Sequence, residues 1–186
     1  MRRLAAALAA ALVLGPAATA HARAVAGVTL DETTTLAGKT LQLNGAGLRS
    51  KLFVKVYVGA LYLEQKSGDP AAILAADQAW LVSMAMKRDV EKEKMIGAFK
   101  EGFENNSRAD LPALLAGLAS FDAALKDLKS GDVMVITYFP GQGATVVAPG
   151  GGSATVEGKV FADALLRNWL GDKPADADLK KGMLGK

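Results

Sequence analysis

The chain has 186 residues, 51% of them hydrophobic, which fits one globular domain with a sizeable core. It contains no cysteine, which excludes disulfides, thiol nucleophiles and cysteine-ligated zinc, and its single histidine, His21, lies near the N-terminus. The formal net charge is +3. Any chemistry in the rest of the chain must therefore use Arg, Lys, Tyr, carboxylates and hydroxyls, and we expect neither a metal nor a cofactor.

Residues 1–24, MRRLAAALAAALVLGPAATAHARA, have the pattern of a cleaved secretory signal peptide. Two arginines precede an apolar run from Leu4 to Leu14, and a Gly-Pro break is followed by small residues at A-x-A spacing. The apolar run is shorter than the roughly 20 residues that span a bilayer, so a membrane anchor is the less favoured interpretation. We predict a periplasmic or secreted protein whose single domain covers residues 25–186.

Cleavage of this segment changes the charge balance. Cleavage after Ala22 leaves 20 basic and 19 acidic residues, cleavage after Ala24 leaves 19 of each, and Ala20 is the third candidate position. A nearly neutral chain gives no electrostatic reason to expect nucleic acid or an anionic membrane surface as a partner. We predict no stable membrane insertion after cleavage, and the oligomeric state is left open.

The first half of the domain is predicted to consist mainly of strands, because residues 52–64 alternate between two faces and residues 79–86 form a short apolar run. The predicted strands cover residues 27–30, 39–43, 52–64 and 79–86. In the long segment 52–64, one face is an almost continuous apolar row, whereas the other carries Lys55 and Tyr57 in its first half and ends apolar.

Helices dominate the second half. Amphipathic helices are predicted over 90–104, with Asp89 as N-cap, and over 111–128, with Asp110 as N-cap. A hairpin over 132–139 and 144–148, a strand over 153–157, a helix over 160–170 and a terminal helical segment over 176–184 follow. No internal repeat or linker separates these elements, so the prediction is one α+β domain.

Arg49 and Tyr57 form the candidate binding pair. A guanidinium can bind a carboxylate bidentately and a phenol adds a directional hydrogen bond, so together they would hold the head group of a hydrophobic acid. From the residues alone, an exposed Arg at a strand end and a Tyr with a solvated tip are favoured. Eight extended residues span about 26 Å, so one site requires a turn, a bulge or a hairpin between the two. Lys55 is the nearer basic alternative.

Four segments in order along the chain resemble the chalcone isomerase-like family, especially its secreted bacterial branch. They read GAGLRSKLFVKVYVGALYLE, IGAFKEGFENN, VITYFPGQG and VFADALLRNWLG. The resemblance covers essentially the whole chain after the signal peptide. It implies an open-faced β-sandwich, in which a layer of helices covers a large antiparallel sheet, with a ligand cleft between the two layers.

The family includes true chalcone isomerases, plant fatty-acid-binding proteins and non-catalytic relatives. Arg49 matches the family arginine, but the catalytic Thr of the isomerases falls at Tyr57. Their catalytic Tyr and Asn fall near Glu93 and Lys100, and their late hydroxyl residue falls near Ala162. An Arg with a Tyr is instead similar to the fatty-acid-binding branch. The segment between Arg49 and Tyr57 is several residues shorter than in the plant proteins, which makes Tyr62 the fallback.

The resemblance therefore implies a protein that binds a hydrophobic carboxylate, most plausibly a fatty acid, without chalcone isomerase activity. The implied ligand-binding residues are Arg49, Tyr57, Tyr62 and Lys55. One alternative is an isomerase or intramolecular lyase of unknown substrate that uses Arg49 electrostatically and Tyr57 as a proton donor. Another is a structural or partner-binding module whose cleft is filled by its own Leu and Phe side chains.

Overall fold

The computed structural model describes residues 22–150 and 152–186, so most of the predicted signal peptide lies outside the described residues. The strands are β1 (Ala22–Val25), β2 (Val28–Asp31), β3 (Thr33–Leu36), β4 (Lys39–Lys51), β5 (Val54–Leu63), β6 (Trp80–Met86), β7 (Val133–Phe139), β8 (Gly143–Val147) and β9 (Ser153–Val156). The helices are α1 (Pro70–Ala75), α2 (Lys92–Asn106), α3 (Leu111–Ala124), α4 (Lys159–Leu170) and α5 (Ala177–Met183).

Strands β3 to β9 form one antiparallel sheet in which every strand pairs with its neighbour along the chain. Strands β1 and β2 form a separate antiparallel hairpin. Helices cover one face of the large sheet, which confirms the predicted α+β open-faced sandwich.

Two apolar cores lie on opposite faces of this sheet. The larger core fills the space between sheet and helices, and its centre is aromatic: Phe161 makes edge-to-face contacts with Phe103 and Phe121, and Phe99 does so with Trp169. The smaller core contains Leu41, Leu43 and Tyr62 together with Leu30 of the β1–β2 hairpin. The interior between sheet and helices is thus occupied by the chain's own side chains.

The predicted strand over 52–64 is confirmed as β5 for residues 54–63, but its first two residues belong to a hairpin turn. Leu52 and Phe53 form a two-residue turn between Lys51 and Val54, with φ values of 48° and 66°. Gly, Asn and Asp usually mark positions with positive φ, and this turn contains none of them. The sequence therefore predicted a continuous strand through these two residues. The hairpin places Arg49 directly across from Tyr57.

A β-bulge next to this pair reverses the faces of β5. Tyr57 pairs with Arg49 but Lys55 pairs with Ser50, which leaves Val56 as the additional residue. Tyr57 and Leu61 therefore face the helices, whereas Val58 and Tyr62 belong to the core on the other face. Strict alternation, which placed Lys55 and Tyr57 on one face, fails at this residue.

Glycines on both β4 and α5 allow the helix to approach the sheet closely. A Cβ atom on Gly182 would lie 2.5 Å from the carbonyl oxygen of Ala46, and one on Gly47 would lie 3.0 Å from the Cα of Leu179. The side chain of Asp176 caps α5 through the backbone N–H groups of Asp178 and Leu179, both at 2.9 Å. These close contacts fix α5 against β4, beside Arg49.

Two helix ends differ from the prediction. Helix α2 begins at Lys92 after Glu91, because the Asp89 carboxylate instead accepts hydrogen bonds from Ser130 N at 2.9 Å and Lys129 Nζ at 3.1 Å. Helix α3 ends at Ala124, and the extended chain beyond it forms an antiparallel bridge between Leu128 and Val90. This bridge closes one side of the groove described below.

Helix α1, which begins at Pro70 after the capping Asp69, was not predicted.

Candidate ligand groove

An open groove of about 700 Å³ lies between the end of the β4–β5 hairpin and the first half of α2. Its apolar lining consists of Leu52, Val54, Val56, Val90, Met95 and Leu128. Five basic and four acidic side chains also line it, the basic ones being Arg49, Lys51, Arg88, Lys94 and Lys129. The volume is within the range of small-molecule sites, and an apolar strip beside charged side chains suits an amphipathic ligand.

Arg49 lies at the inner end of the charged lining, on the helix-covered face of β4. Its guanidinium carbon is 5.7 Å from the centroid of the Tyr57 ring, a cation–π distance. Its Nε is buried and has no hydrogen-bond partner among the described residues. A buried donor without a partner is costly, so this nitrogen is suited to an acceptor supplied by a ligand.

Tyr57 contributes its ring to this site, while its hydroxyl is engaged elsewhere. The side chain is 3% exposed, and its hydroxyl oxygen accepts a hydrogen bond of 2.9 Å from Trp169 Nε1. Burial raises the pKa of Tyr57, and the neighbouring Arg49 guanidinium opposes that shift. The phenol is therefore a neutral acceptor inside the core, and it does not line the groove.

The other two candidate ligand residues lie away from the groove. Tyr62 lies on the opposite face of the sheet, and its hydroxyl donates to the carbonyl oxygen of Asp31 at 3.1 Å. Lys55 is exposed and pairs across the hairpin with Ser50. Neither residue lines the groove: ordinary alternation from Tyr57 puts Tyr62 on the opposite face, and the bulge at Val56 puts Lys55 there as well.

The positions that match the other isomerase residues do not gather around Arg49. Glu93 and Lys100 are exposed on α2, and the Lys100 ammonium lies 4.0 Å from Glu104. Ala162 is fully buried in α4. None of the three lines the groove.

Two neighbours of the Arg49–Tyr57 pair were not identified as such from the sequence. Trp169 lies in the core, and its indole N–H fixes the Tyr57 hydroxyl. The Asp176 carboxylate accepts a hydrogen bond of 3.1 Å from Ser50 N, one residue from Arg49. Both contacts join residues more than 100 positions apart, so only the N-cap preference of Asp176 was visible locally.

Within residues 22–150 and 152–186, no group of three or more His, Asp and Glu side chains is arranged to hold a metal ion. In the same part of the chain, none of the helices combines the length and the apolar character needed to cross a bilayer.

The family model for chalcone isomerase-like proteins matches residues 22–185, and the chain belongs to this family. The resemblance seen in the sequence is thereby confirmed. Among solved structures, the fold is similar to that of a fatty-acid binding protein from Arabidopsis thaliana, with a TM-score of 0.65 and 17% identity over 85% of this chain and 92% of the plant chain. None of the curated proteins matches the chain.

Proposed function

We propose that this protein binds a hydrophobic carboxylate, such as a fatty acid, in the groove beside α2, with Arg49 as the charge anchor. The observation that carries the proposal is the state of the Arg49 guanidinium. It lies against the Tyr57 ring with a buried, unpartnered Nε, and no carboxylate oxygen of the described residues lies within 4.0 Å of it. A ligand carboxylate would supply both the missing acceptor and the missing counter-charge.

The remaining charges of the groove favour Arg49 over its neighbours as the anchor. Lys94 lies 3.1 Å from Glu91, and Lys129 lies 3.1 Å from Asp89. Lys51 is exposed at the end of the hairpin, where water solvates its ammonium group. Arg49 is the half-buried cation of the set and is already held by an aromatic ring, so it loses little freedom when it binds.

An acyl chain would lie along the apolar part of the groove. Val54 and Val56 form one wall, Met95 of α2 forms the other, and Leu128 closes the end. The flexible thioether of Met95 can adapt to chains of different length. Because the interior between sheet and helices is filled, we place the acyl chain in this edge groove and not in a deep internal cleft.

The fold provides secondary support, because a plant protein of similar structure is a fatty-acid binding protein. At 17% identity this likeness does not transfer the ligand by itself. The proposal therefore depends on Arg49 and the groove, and the relative indicates only which hydrophobic acids should be tried first.

Export through a cleaved signal peptide is also part of the proposal. Residues 1–24 support it by their composition, and the family match begins at residue 22. Cleavage after Ala24 would remove three of the four described residues of β1, so we favour cleavage after Ala20. The intact mass of protein recovered from the periplasm tests this, and retention of residues 1–20 would contradict it.

Isothermal titration of delipidated protein with palmitate and with methyl palmitate tests the anchor. The ester keeps the acyl chain and removes the charge. We expect Arg49→Gln to weaken palmitate binding about 10- to 100-fold and to leave the weak binding of the ester unchanged, because a charge-assisted hydrogen bond is lost only with the acid. Arg88→Gln, which removes another cation of the same groove, is the matched control and should bind palmitate nearly as wild type.

Equal palmitate affinity in wild type and Arg49→Gln would remove Arg49 from the site. A wild-type protein that binds no fatty acid of any length would favour the second candidate, a non-catalytic partner-binding domain. That candidate is supported by the aromatic filling of the space where the resemblance implied a cleft.

A further inference from the structure

The end of the β4–β5 hairpin exposes large apolar side chains to solvent. Residues 51–55, Lys-Leu-Phe-Val-Lys, are termed the hairpin tip. Leu52 is 85% exposed and Phe53 is 104% exposed, more than any other large hydrophobic residue of the described chain. Val54 adds a further side chain that is 44% exposed. Neither Leu52 nor Phe53 belongs to either apolar core, so the fold itself gains little from them.

The same two residues occupy an unfavourable backbone conformation. Both have positive φ, 48° for Leu52 and 66° for Phe53, as in a type I′ turn. Such turns favour Asn and Gly, because a Cβ atom clashes with the backbone in the left-handed region. Two large apolar residues at this position lower solubility and strain the backbone, so they are not there to stabilise the fold. Their presence indicates that the tip contacts something other than the rest of the chain.

The hairpin tip itself carries only basic charges, although four acidic side chains line the adjoining groove. Lys51 and Lys55 flank the apolar residues, both are exposed, and neither lies within 4.0 Å of a carboxylate oxygen of the described residues. Arg88 on the adjacent groove edge likewise forms no ion pair there. The acidic groups on the facing edge, Asp89 and Glu91, are paired with Lys129 and Lys94. Near-neutral total charge therefore conceals a local basic end.

We propose that the hairpin tip docks the protein reversibly on a bilayer that contains anionic lipids. Leu52 and Phe53 enter the interfacial region, and the ammonium groups of Lys51 and Lys55 contact lipid phosphates. A protein partner is less suited, because stable interfaces bury about 800 Å² per partner and two protruding side chains offer far less. The docking is peripheral and involves no spanning segment.

The tip is continuous with the groove, because Lys51, Leu52 and Val54 belong to both. Docking by the tip would bring the open edge of the groove to the lipid surface, where hydrophobic carboxylates are concentrated. The docking proposal rests on the exposure and charge of the tip and not on the proposed fatty-acid binding, so either can fail alone.

Vesicle flotation tests the docking. The protein is recovered from the periplasm and delipidated, and its intact mass verifies that all variants have the same N-terminus. It is then mixed with vesicles of phosphatidylcholine alone, or with vesicles of phosphatidylcholine and phosphatidylglycerol in equal shares. We expect wild type to float with the anionic vesicles and to be released by salt. The double variant Leu52→Asn/Phe53→Gly should weaken binding about tenfold or more, because two apolar side chains no longer leave water. Lys51→Gln/Lys55→Gln should abolish the preference for anionic vesicles.

Val160→Asn is the matched control, since it removes another exposed apolar side chain, 57% accessible, from a residue outside the tip and the groove. It should float as wild type does. Failure of wild type to bind anionic vesicles, or equal binding by Leu52→Asn/Phe53→Gly, would overturn the proposal. So would a wild-type dimer in sedimentation velocity that the double variant loses, because the tip would then bind a second copy of the chain.

Discussion

The ring and the hydroxyl of Tyr57 perform different tasks. The ring supports the Arg49 guanidinium at 5.7 Å, while the hydroxyl accepts the Trp169 indole N–H at 2.9 Å. Trp169 is 1% exposed, so no water replaces the phenol oxygen if it is removed. The hydrogen bond therefore stabilises the core, and the ring positions the charge that we propose binds the ligand.

Substitutions at Tyr57 separate these two tasks. Tyr57→Phe should lower the free energy of unfolding by about 1–3 kcal/mol, because it leaves a buried indole N–H unsatisfied, yet palmitate affinity should stay close to that of wild type. Tyr57→Leu should lower both, because the ring beneath Arg49 is lost as well. Urea unfolding and isothermal titration measure the two quantities.

Tyr62→Phe is the control for the loss of a phenol hydroxyl, since that group donates to Asp31 on the opposite face of the sheet. It should leave palmitate affinity unchanged. If Tyr57→Phe loses affinity as severely as Arg49→Gln, the hydroxyl contacts the head group directly and the division of tasks is wrong.

At the scale of elements, the β4–β5 hairpin carries the strongest local conflict between sequence and structure. Leu52 and Phe53 both adopt the left-handed backbone conformation. For a residue with a Cβ atom this conformation costs about 1–2 kcal/mol per residue. Leu52→Asn/Phe53→Gly should therefore raise the free energy of unfolding by about 1–3 kcal/mol, measured by urea unfolding. Greater stability combined with loss of vesicle binding would be a stability–function trade-off.

A double alanine variant separates backbone strain from exposed apolar surface. Leu52→Ala/Phe53→Ala removes the large side chains but keeps a Cβ atom at both positive φ values, so its stability should remain near that of wild type. If the alanine and Asn-Gly variants are equally stabilised, the gain comes from removing apolar surface and the turn is not strained.

The same hairpin shows what the sequence could and could not predict. Strands β6 to β8 and helix α4 were predicted almost to the residue, because their periodicity and the Gly at their ends are local signals. The turn at Leu52–Phe53 was missed because it lacks turn residues, and the bulge at Val56 was missed because strict alternation has no place for an additional residue. Both features arise from pairing between strands.

The candidate site was predictable to a similar extent. Arg49 and Tyr57 were named from their chemistry and from the family resemblance, and the hairpin brings them together. The groove around Arg49 was not predictable, because Met95 and Leu128 reach it from elements more than 40 residues away along the chain. Strict alternation placed Lys55 on the face of Tyr57, and the bulge removes it from that face. Tyr62 was the fallback from the family resemblance, and it lies on the opposite face of the sheet.

For the whole molecule, the two faces of the sheet have distinct roles. The helix-covered face holds a dense aromatic core and, at its edge, the groove with Arg49. The other face is closed by the β1–β2 hairpin, whose Asp31 carbonyl receives the Tyr62 hydroxyl. A rigid packed body with its open site and apolar tip at one end suits a protein that meets its ligand at a surface.

We expect the free energy of unfolding to decrease at acidic pH because of Glu64, whose contacts link β4, β5 and β6. Its carboxylate accepts hydrogen bonds from Lys39 Nζ at 2.8 Å, at the start of β4, and from Ala79 N at 2.7 Å, just before β6. The Lys39 hydrogen bond, followed by that from Ala79, lowers the pKa of Glu64 below its ordinary value of 4.5. The native state then binds fewer protons than the unfolded state, so this contribution is complete above pH 4.5 and is lost as the pH falls below it.

Glu64→Gln keeps the shape of this side chain but removes its ionisation. We expect it to lower the free energy of unfolding by about 0.5–1 kcal/mol at neutral pH, the size of a partly exposed ion pair with a backbone hydrogen bond. The difference from wild type should shrink as the pH falls below 4.5, where the wild-type carboxylate also becomes neutral. Lys39→Gln removes the main cause of the lowered pKa of Glu64. In urea unfolding measured across pH, the free energy of unfolding of this variant should therefore change less than that of wild type as the pH falls below 4.5. Parallel curves for wild type and Glu64→Gln would show that another carboxylate controls the acid sensitivity of the sheet.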